Sequence, residues 1–270
     1  LRRFMADYDD LQMAYERACA ASWTSAAADI SGALTVLRNL RVIGAGRHQR
    51  LKSAAQLLPA AQGATRAKLL RLFANTYVST IQEVSRADAA RELVALRREL
   101  GDAQRLYEAL GAQAAVGVVV GDLQTATQAV AEGRQIERPD WPARLRAQFT
   151  FHSGNVCKEL GDIAGCARAM QEVLELTSRA GFDQGVWLAQ LGLADAAMLA
   201  NDIPRAIDIC RQAMGTLHDL NIECAWAQAA AELGAAQLMA RQADEATRSL
   251  RKAQPILQVG EGEGLILSHV

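Results

Sequence analysis

The sequence has 270 residues, half of them apolar, and carries a formal net charge of -1. A chain of this length can bury a large continuous core, and it lacks the positive charge that would attract nucleic acid directly. Aromatic residues are scarce and alanine is abundant, so the composition favours closely packed helices over a β-sandwich or barrel.

No segment has the length and apolar character of a membrane span, and no secretory signal opens the chain. The five cysteines form no CxxC pair, and the four histidines have no metal-type spacing, so we expect buried thiols in a reducing cytoplasm and neither a metal nor a cofactor. The cysteines are Cys19, Cys157, Cys166, Cys210 and Cys224. Because the first residue is Leu1 rather than methionine, we expect a piece of a longer protein.

The first hundred residues have apolar spacing typical of helices, interrupted at intervals close to twenty residues. The loop Gly44-Ala45-Gly46 is interpreted as an interhelix turn rather than a phosphate cradle, because no strand precedes it. We read the region 1–100 as degenerate repeats, which are common at the ends of repeat proteins. The predicted helices are Met5 to Ala20, Thr24 towards Val42, His48 to Leu58, Ala64 to Ser79, and Ser85 to Leu100.

Basic residues cluster in this region, and two interpretations are open. The cluster either forms a solvated helix face or docks a neighbouring domain. Its members are Arg38, Arg41, Arg47, Arg50 and Lys52.

From Gly101 to Gly260 the chain divides into four units of forty residues, each predicted to be a helical hairpin. The predicted turns inside the units are Gly121-Asp122, Gly161-Asp162, Asn201-Asp202 and, weakened, Arg241-Gln242. Glycine or asparagine closes a helix in the left-handed conformation, and aspartate caps the next helix. Small residues recur seven positions before the first residue of each turn, at Ala114, Gly154, Ala194 and Gly234. They recur again five positions after that first residue, at Ala126, Cys166, Ala206 and Ala246.

The breaks between units fall midway between these turns. They are Gly101-Asp102, Pro139 to Pro142, Gly181 to Asp183, and Asn221. Pro255 is expected to end or kink the last helix. Residues 261–270 are expected to be a tail or the start of a further helix.

The forty-residue register, with small residues where paired helices cross, resembles the tetratricopeptide repeat. The resemblance implies an all-α fold over residues 1–270, a right-handed superhelical solenoid of antiparallel helix pairs whose first helices line a concave groove. Carried over by position, the groove residues are Gln148, Phe151, Asn155 and Lys158, then Leu188, Leu191, Asp195 and Met198, then Gln228, Ala231, Ala235 and Leu238.

Asn155 and Lys158 lie one helical turn apart, which lets two donors meet a carboxylate or phosphate of a ligand. Trp187 and Trp226 either floor a ligand pocket or fill the seam between repeats. His152 is interpreted as a surface or hydrogen-bonded residue rather than a base. The glutamates are expected on outer faces, and no catalytic motif is found, so we predict a protein without enzymatic activity.

Leu100-Gly101-Asp102 and Leu160-Gly161-Asp162, together with Tyr8-Asp9-Asp10-Leu11 and Trp23, resemble the sensor region of bacterial ATP-dependent transcriptional regulators of the LuxR or winged-helix type. That resemblance implies preceding ATPase and DNA-binding domains and a groove that binds an effector or a peptide. The main candidate ligand-binding residues are Gln148, Phe151, Asn155, Lys158, Trp187, Asp195 and Gln228. A purely structural scaffold or a homo-oligomerisation module is the alternative.

Overall fold

The computed structural model describes residues 2–40, 47–75, 84–219 and 223–261. Within these ranges the chain forms thirteen α-helices and no strand, which confirms the predicted all-α fold. The helices are α1 Arg2–Ala20, α2 Thr24–Leu40, α3 Arg47–Leu57, α4 Gly63–Ala74, α5 Arg86–Leu100, α6 Ala103–Val120, α7 Leu123–Ile136, α8 Ala143–Glu159, α9 Ile163–Arg179, α10 Asp183–Leu199, α11 Ile203–Asp219, α12 Glu223–Met239 and α13 Ala243–Glu261.

A 3-10 turn, Leu58–Ala60, links α3 to α4. The predicted loop at residues 44–46, the predicted end of the fourth helix beyond residue 75, the break at Asn221 and the tail at 262–270 lie outside the described residues.

Successive helices pack as antiparallel neighbours, and the even-numbered helices form one continuous layer. Each contacts the next even-numbered helix, from α2 to α4 and onwards to α12. Among the described residues, only α1 and α3 make comparable contacts between odd-numbered helices. In a curved stack the inner elements approach one another more closely than the outer ones. The even-numbered helices therefore line the inner side of the solenoid, and the two-layer alternation extends into residues 2–100.

The four predicted turns are all present and share one backbone conformation. In each turn a residue with positive φ follows the first helix of the pair. An aspartate or glutamine comes next, and the second helix begins at the residue after it. The φ angles of these left-handed residues are 77° at Gly121, 77° at Gly161, 61° at Asn201 and 60° at Arg241. Arg241 therefore takes the same conformation as its glycine counterparts, although its Cβ makes that conformation unfavourable.

Replacing Arg241 by glycine should raise the free energy of unfolding by about 0.5–1 kcal/mol, because glycine adopts positive φ without steric cost. Urea denaturation of the two proteins measures the difference. Arg251→Gly is the control, since Arg251 lies exposed inside α13 and glycine in a helix interior should cost about 1 kcal/mol. A stability loss in the Arg241 variant would contradict the strain argument.

Small residues allow the helices of a pair to cross closely, as the sequence pattern predicts. Ala114, Ala126, Ala194 and Ala206 are fully buried. At Gly154, a Cβ would lie 2.8 Å from Met170 Cε and 3.0 Å from Ala169 Cβ. A larger side chain at this position would push α8 away from α9, so the small residue sets the distance between the paired helices.

Pro255 does not end the last helix, contrary to one of the two expected outcomes. The helix α13 continues through it to Glu261. The proline ring removes one backbone donor, and this loss is tolerated on a side of the helix where Pro255 itself is exposed.

Arg50 does not belong to a solvated face. It is buried, and its Nη1 donates hydrogen bonds of 2.9 Å to Tyr8 Oη and to Gln12 Oε1. Tyr15 Oη in turn donates to the Arg50 carbonyl oxygen at 2.7 Å. This part of the basic cluster therefore joins α3 to α1.

The expected buried thiols are found in part. Cys166 and Cys210 are buried free thiols, whereas Cys19 and Cys157 are partly exposed. Burial raises the pKa of Cys166 to about 11 and that of Cys210 to about 12. Both buried thiols therefore stay protonated at neutral pH and are unreactive as nucleophiles. The side chain of Cys224 lies outside the described side chains.

Candidate functional site

Three inner helices, α8, α10 and α12, present a row of polar side chains between apolar helix seams. Lys158, Asp195 and Glu232 follow one another at intervals of 37 residues, one on each helix. We call these three residues the charged ladder. Each of the three helices buries apolar or small residues on its other side, among them Val156 on α8, Ala194 on α10 and Leu233 on α12.

The first two residues of the charged ladder, Lys158 and Asp195, form an ion pair. Lys158 Nζ lies 3.1 Å from Asp195 Oδ2, and the two side chains are 15% and 25% exposed. Asp195 therefore takes up one of the three N–H donors of Lys158, and an anionic ligand that bound Lys158 together with Asn155 would compete with this carboxylate. The Lys158 ammonium neutralises a carboxylate that the fold partly removes from water.

Glu232 is the residue that the sequence reasoning missed. It is only partly exposed on α12 and faces Asp195 rather than the outer surface, so the expectation that the glutamates lie on outer faces is wrong here. Burial and then the Asp195 carboxylate raise the pKa of Glu232 to about 7, against the weaker lowering effect of Lys158. At neutral pH the charged ladder therefore exchanges between a neutral state and a state of one negative charge.

Three amide side chains lie on the same helices as the charged ladder. Gln148 on α8 is exposed, and Asn155 on α8 and Gln228 on α12 are partly exposed. None of these amides hydrogen-bonds to another side chain or to the backbone in the described part of the chain. Each of them retains its donors and acceptors for a ligand or for water.

Phe151 and His152 have different environments although they are adjacent in α8. Phe151 is partly buried against Val173 and Ala189. His152 is buried, and burial lowers its pKa to about 4. The neutral imidazole packs towards α6, where a Cβ on Gly111 would lie 3.5 Å from its ring. It is therefore neither the surface histidine that one reading expected nor a cation for ligand binding.

Trp187 fills the seam between stacked repeats. It is buried with Leu191, Leu217 and Ala225, and Trp226 is partly buried against the same cluster. This arrangement corresponds to packing in the seam between repeats, and not to the floor of a ligand pocket, which was the other interpretation of the tryptophans. Trp187 therefore contributes packing beneath the inner face and little area to its surface.

Two further findings concern other kinds of site. Within residues 2–40, 47–75, 84–219 and 223–261, no group of three or more histidine, cysteine, aspartate or glutamate side chains is arranged to hold a metal ion. None of the described helices is long and apolar enough to cross a membrane.

No protein-family model matches the sequence, and no curated protein matches it either. Solved structures do match. The structure of BtubC from P. vanneervenii is 17% identical, with a TM-score of 0.58, and the alignment covers 95% of this chain and 96% of that one.

Two other solved structures have higher TM-scores. A signal transduction ATPase with a tetratricopeptide repeat sensor, PH0952 from Pyrococcus horikoshii, has a TM-score of 0.68 at 12% identity. The alignment covers 96% of this chain and 40% of PH0952. A Rap protein complexed with Competence and Sporulation Factor has a TM-score of 0.66 at 11% identity, over 94% of this chain and 77% of that one.

At these identities the similarity concerns the fold. Together with the alternation of inner and outer helices and the recurring left-handed turns, it shows that this chain has a tetratricopeptide-like helical-repeat solenoid fold.

Proposed function

We propose that this chain is a non-enzymatic interaction module that binds a segment of a partner protein along the inner face of α8, α10 and α12. The observation that carries the proposal is the set of three accessible amides on α8 and α12, Gln148, Asn155 and Gln228, which make no hydrogen bonds to the described residues. Amides in a row are suited to an extended backbone, because each offers donors and an acceptor.

The charges of this face favour a neutral or cationic group on the partner over an anionic one. Asp195 and Glu232 outnumber Lys158, and Lys158 already contacts Asp195 at 3.1 Å. A partner carboxylate would have to compete with Asp195 for the ammonium. A lysine, an arginine or an α-amino group would instead gain from the second carboxylate.

Phe151 supplies apolar contact area beside the polar row. Its ring is partly exposed between α8 and the seam to α9 and α10. Binding sites commonly combine apolar contact with a few polar groups that set orientation. We therefore propose that Phe151 contacts an apolar side chain of the bound segment.

The structural similarities support a more specific proposal, namely that the module is the sensor of a larger ATP-dependent regulator. PH0952 combines an ATPase with a tetratricopeptide sensor, and the Rap structure contains Competence and Sporulation Factor as its bound partner. In our proposal, occupation of the inner face biases the activity of preceding ATPase and DNA-binding domains. Sequencing the gene upstream of the Leu1 codon tests it, and absence of a nucleotide-binding motif there would contradict this specific role.

Binding can be tested with peptides selected from a random displayed library against the full chain. For a peptide that binds, Gln148→Ala, Asn155→Ala and Gln228→Ala should each weaken the Kd about fivefold, equivalent to about 1 kcal/mol per lost hydrogen bond. Fluorescence anisotropy measures the change. Gln128→Ala on α7 and Gln212→Ala on α11 are matched controls, because both glutamines are exposed on outer helices. Equal losses in both sets would contradict the inner-face assignment.

A row of exposed apolar side chains favours the alternative, a scaffold that associates with itself. Val120, Leu160, Leu199 and Met239 lie at the turn edge of successive helix pairs, and each is about half exposed. Light scattering tests this alternative: a concentration-dependent oligomer that Leu160→Ser dissociates would support self-association, and a monomer at all concentrations would contradict it.

A further inference from the structure

Two arginines contact one carboxylate, and a third arginine lies nearby, where α4, α5 and α6 meet, away from the inner face of α8, α10 and α12. Arg71 Nη1 lies 2.6 Å from Glu108 Oε1, and Arg105 Nη1 lies 2.9 Å from Glu108 Oε2. Arg97, in the last turn of α5, is close enough to Arg105, Glu108 and Asp102 for their charges to act on it. We call Arg71, Arg97 and Arg105 the arginine cluster.

Arg97 is the unusual member of the arginine cluster. Its side chain is only 9% exposed as a residue, yet it makes no hydrogen bond and no ion pair within 4 Å to any residue in the described part of the chain. Buried cations in proteins are normally paired, because the loss of hydration is large without a counter-charge. Arg97 thus keeps N–H donors that no described residue takes up, although the charges of Glu108 and Asp102 act on it.

The neighbouring acids do not balance the arginine cluster. Glu108 divides its two oxygens between Arg71 and Arg105. Asp102, the other nearby acid, accepts a hydrogen bond of 3.1 Å from the backbone N–H of Arg105 and caps α6. Two guanidinium groups thus share the Glu108 carboxylate in direct contact, and Arg97 has no ion pair of its own within 4 Å. Burial and the charge of Arg105 both lower the pKa of Arg97, as expected for a cation short of negative charge.

We propose that the arginine cluster binds a phosphate group, with Arg97 as the anchoring residue. The three arginines exceed the two nearby acids, Glu108 and Asp102, by one positive charge, and a phosphate offers them more acceptor oxygens than a carboxylate does. Guanidinium groups bind phosphate through paired N–H donors, and Arg71 and Arg105 each retain donors beyond the one given to Glu108. Glu108 holds these two guanidinium groups next to each other, one at each of its carboxylate oxygens.

Thermal unfolding of the full chain in inorganic phosphate, at constant ionic strength set with sodium chloride, tests the proposal. The wild type should show a saturable rise in Tm of several degrees when phosphate exceeds its Kd about a hundredfold. Arg97→Met should abolish this rise, and its Tm without phosphate should equal or exceed that of the wild type, because an unpaired buried charge has been removed.

Arg98→Met is the matched control. Arg98 is adjacent in sequence but exposed, and it pairs with Glu132 at 2.6 Å, so this variant should retain the full phosphate response. Arg105→Gln provides a second variant on an exposed side chain and should weaken phosphate binding at least tenfold. O-phosphoserine in place of phosphate distinguishes a phosphorylated residue from the free ion as the source of the group; a saturable shift with either supports the proposal.

Three outcomes would overturn the phosphate site: no saturable shift in the wild type with either compound, an equal shift in acetate, or an undiminished shift in Arg97→Met. If Arg97→Met does not fold, an unchanged phosphate affinity in Arg105→Gln overturns it. The test is independent of partner binding at α8, α10 and α12, since none of the variants lies on those helices.

Discussion

Replacing Gly133 by alanine is expected to lower the free energy of unfolding by about 1–3 kcal/mol, the range typical of overpacking a close contact. A Cβ at this position would overlap the ring of Phe149. That ring cannot move away easily, because it is buried and stacked on Tyr107 with ring centroids 4.1 Å apart. The ring of Trp141 packs edge-on against that of Tyr107, with the two ring centroids 5.1 Å apart.

Urea denaturation with a matched glycine change separates this effect from helix propensity. Gly215 lies exposed inside α11, where a Cβ would meet no atom within 4 Å. Gly215→Ala should therefore raise the free energy of unfolding by about 0.5–1 kcal/mol. In a Phe149→Leu background the cost of Gly133→Ala should shrink, since the two positions contact each other. An undiminished cost in that background would show that the ring is not the cause.

Replacing Lys158 by methionine should lower the free energy of unfolding by about 2–3 kcal/mol at pH 8, and by clearly less at pH 6. Removing one member of a partly buried pair leaves the other carboxylate uncompensated. At pH 8 that leaves Asp195 and Glu232 together without a cation on the charged ladder. At pH 6 Glu232 is protonated and can donate a hydrogen bond to Asp195, so the loss is smaller.

The direction of the pH effect follows from the raised pKa of Glu232. Because the folded-state pKa, about 7, lies above the usual value of 4.5, the stability contributed by the protonated group is complete below pH 4.5 and is lost as the pH rises through 7. His152 acts oppositely. Its pKa is lowered from 6.5 to about 4, so its contribution is lost as the pH falls through that range. The window from pH 6.5 to 8 therefore reports mainly on Glu232.

Urea denaturation at pH 6, pH 6.5 and pH 8 measures both effects. Glu232→Gln should flatten the pH dependence in the window from pH 6.5 to 8, and it should recover most of the stability that Lys158→Met loses at pH 8. Arg211→Met serves as the control, because Arg211 forms an exposed pair with Asp208 on α11 and its loss should change stability by less than about 0.5 kcal/mol. Equal losses from Lys158→Met at the two pH values would contradict the proposed coupling.

The chain reversals and the helix pairing could be predicted from the sequence because they depend on local chemistry. Glycine and asparagine at 121, 161 and 201 tolerate positive φ, and small residues such as Gly154 permit close crossing. Even the weak signal at Arg241 was correct, because the fold imposes the left-handed conformation that its neighbours in the repeat adopt readily.

The amide positions of the inner face were also predicted from the repeat register. Gln148, Asn155 and Gln228 lie on inner helices as expected. Their role in binding stays a prediction, since it depends on a partner and not on the register alone.

The pairing of charges was decided only by the tertiary structure. The sequence repeats every forty residues, whereas Lys158, Asp195 and Glu232 meet at intervals of 37, as do Arg71 and Glu108. Stacked inner helices are displaced along their axes by about one turn, so a side chain faces a position three residues earlier in the next repeat. The sequence by itself thus determined the hairpins and their order, while this displacement decided which charges share a site, because it depends on how whole helices pack.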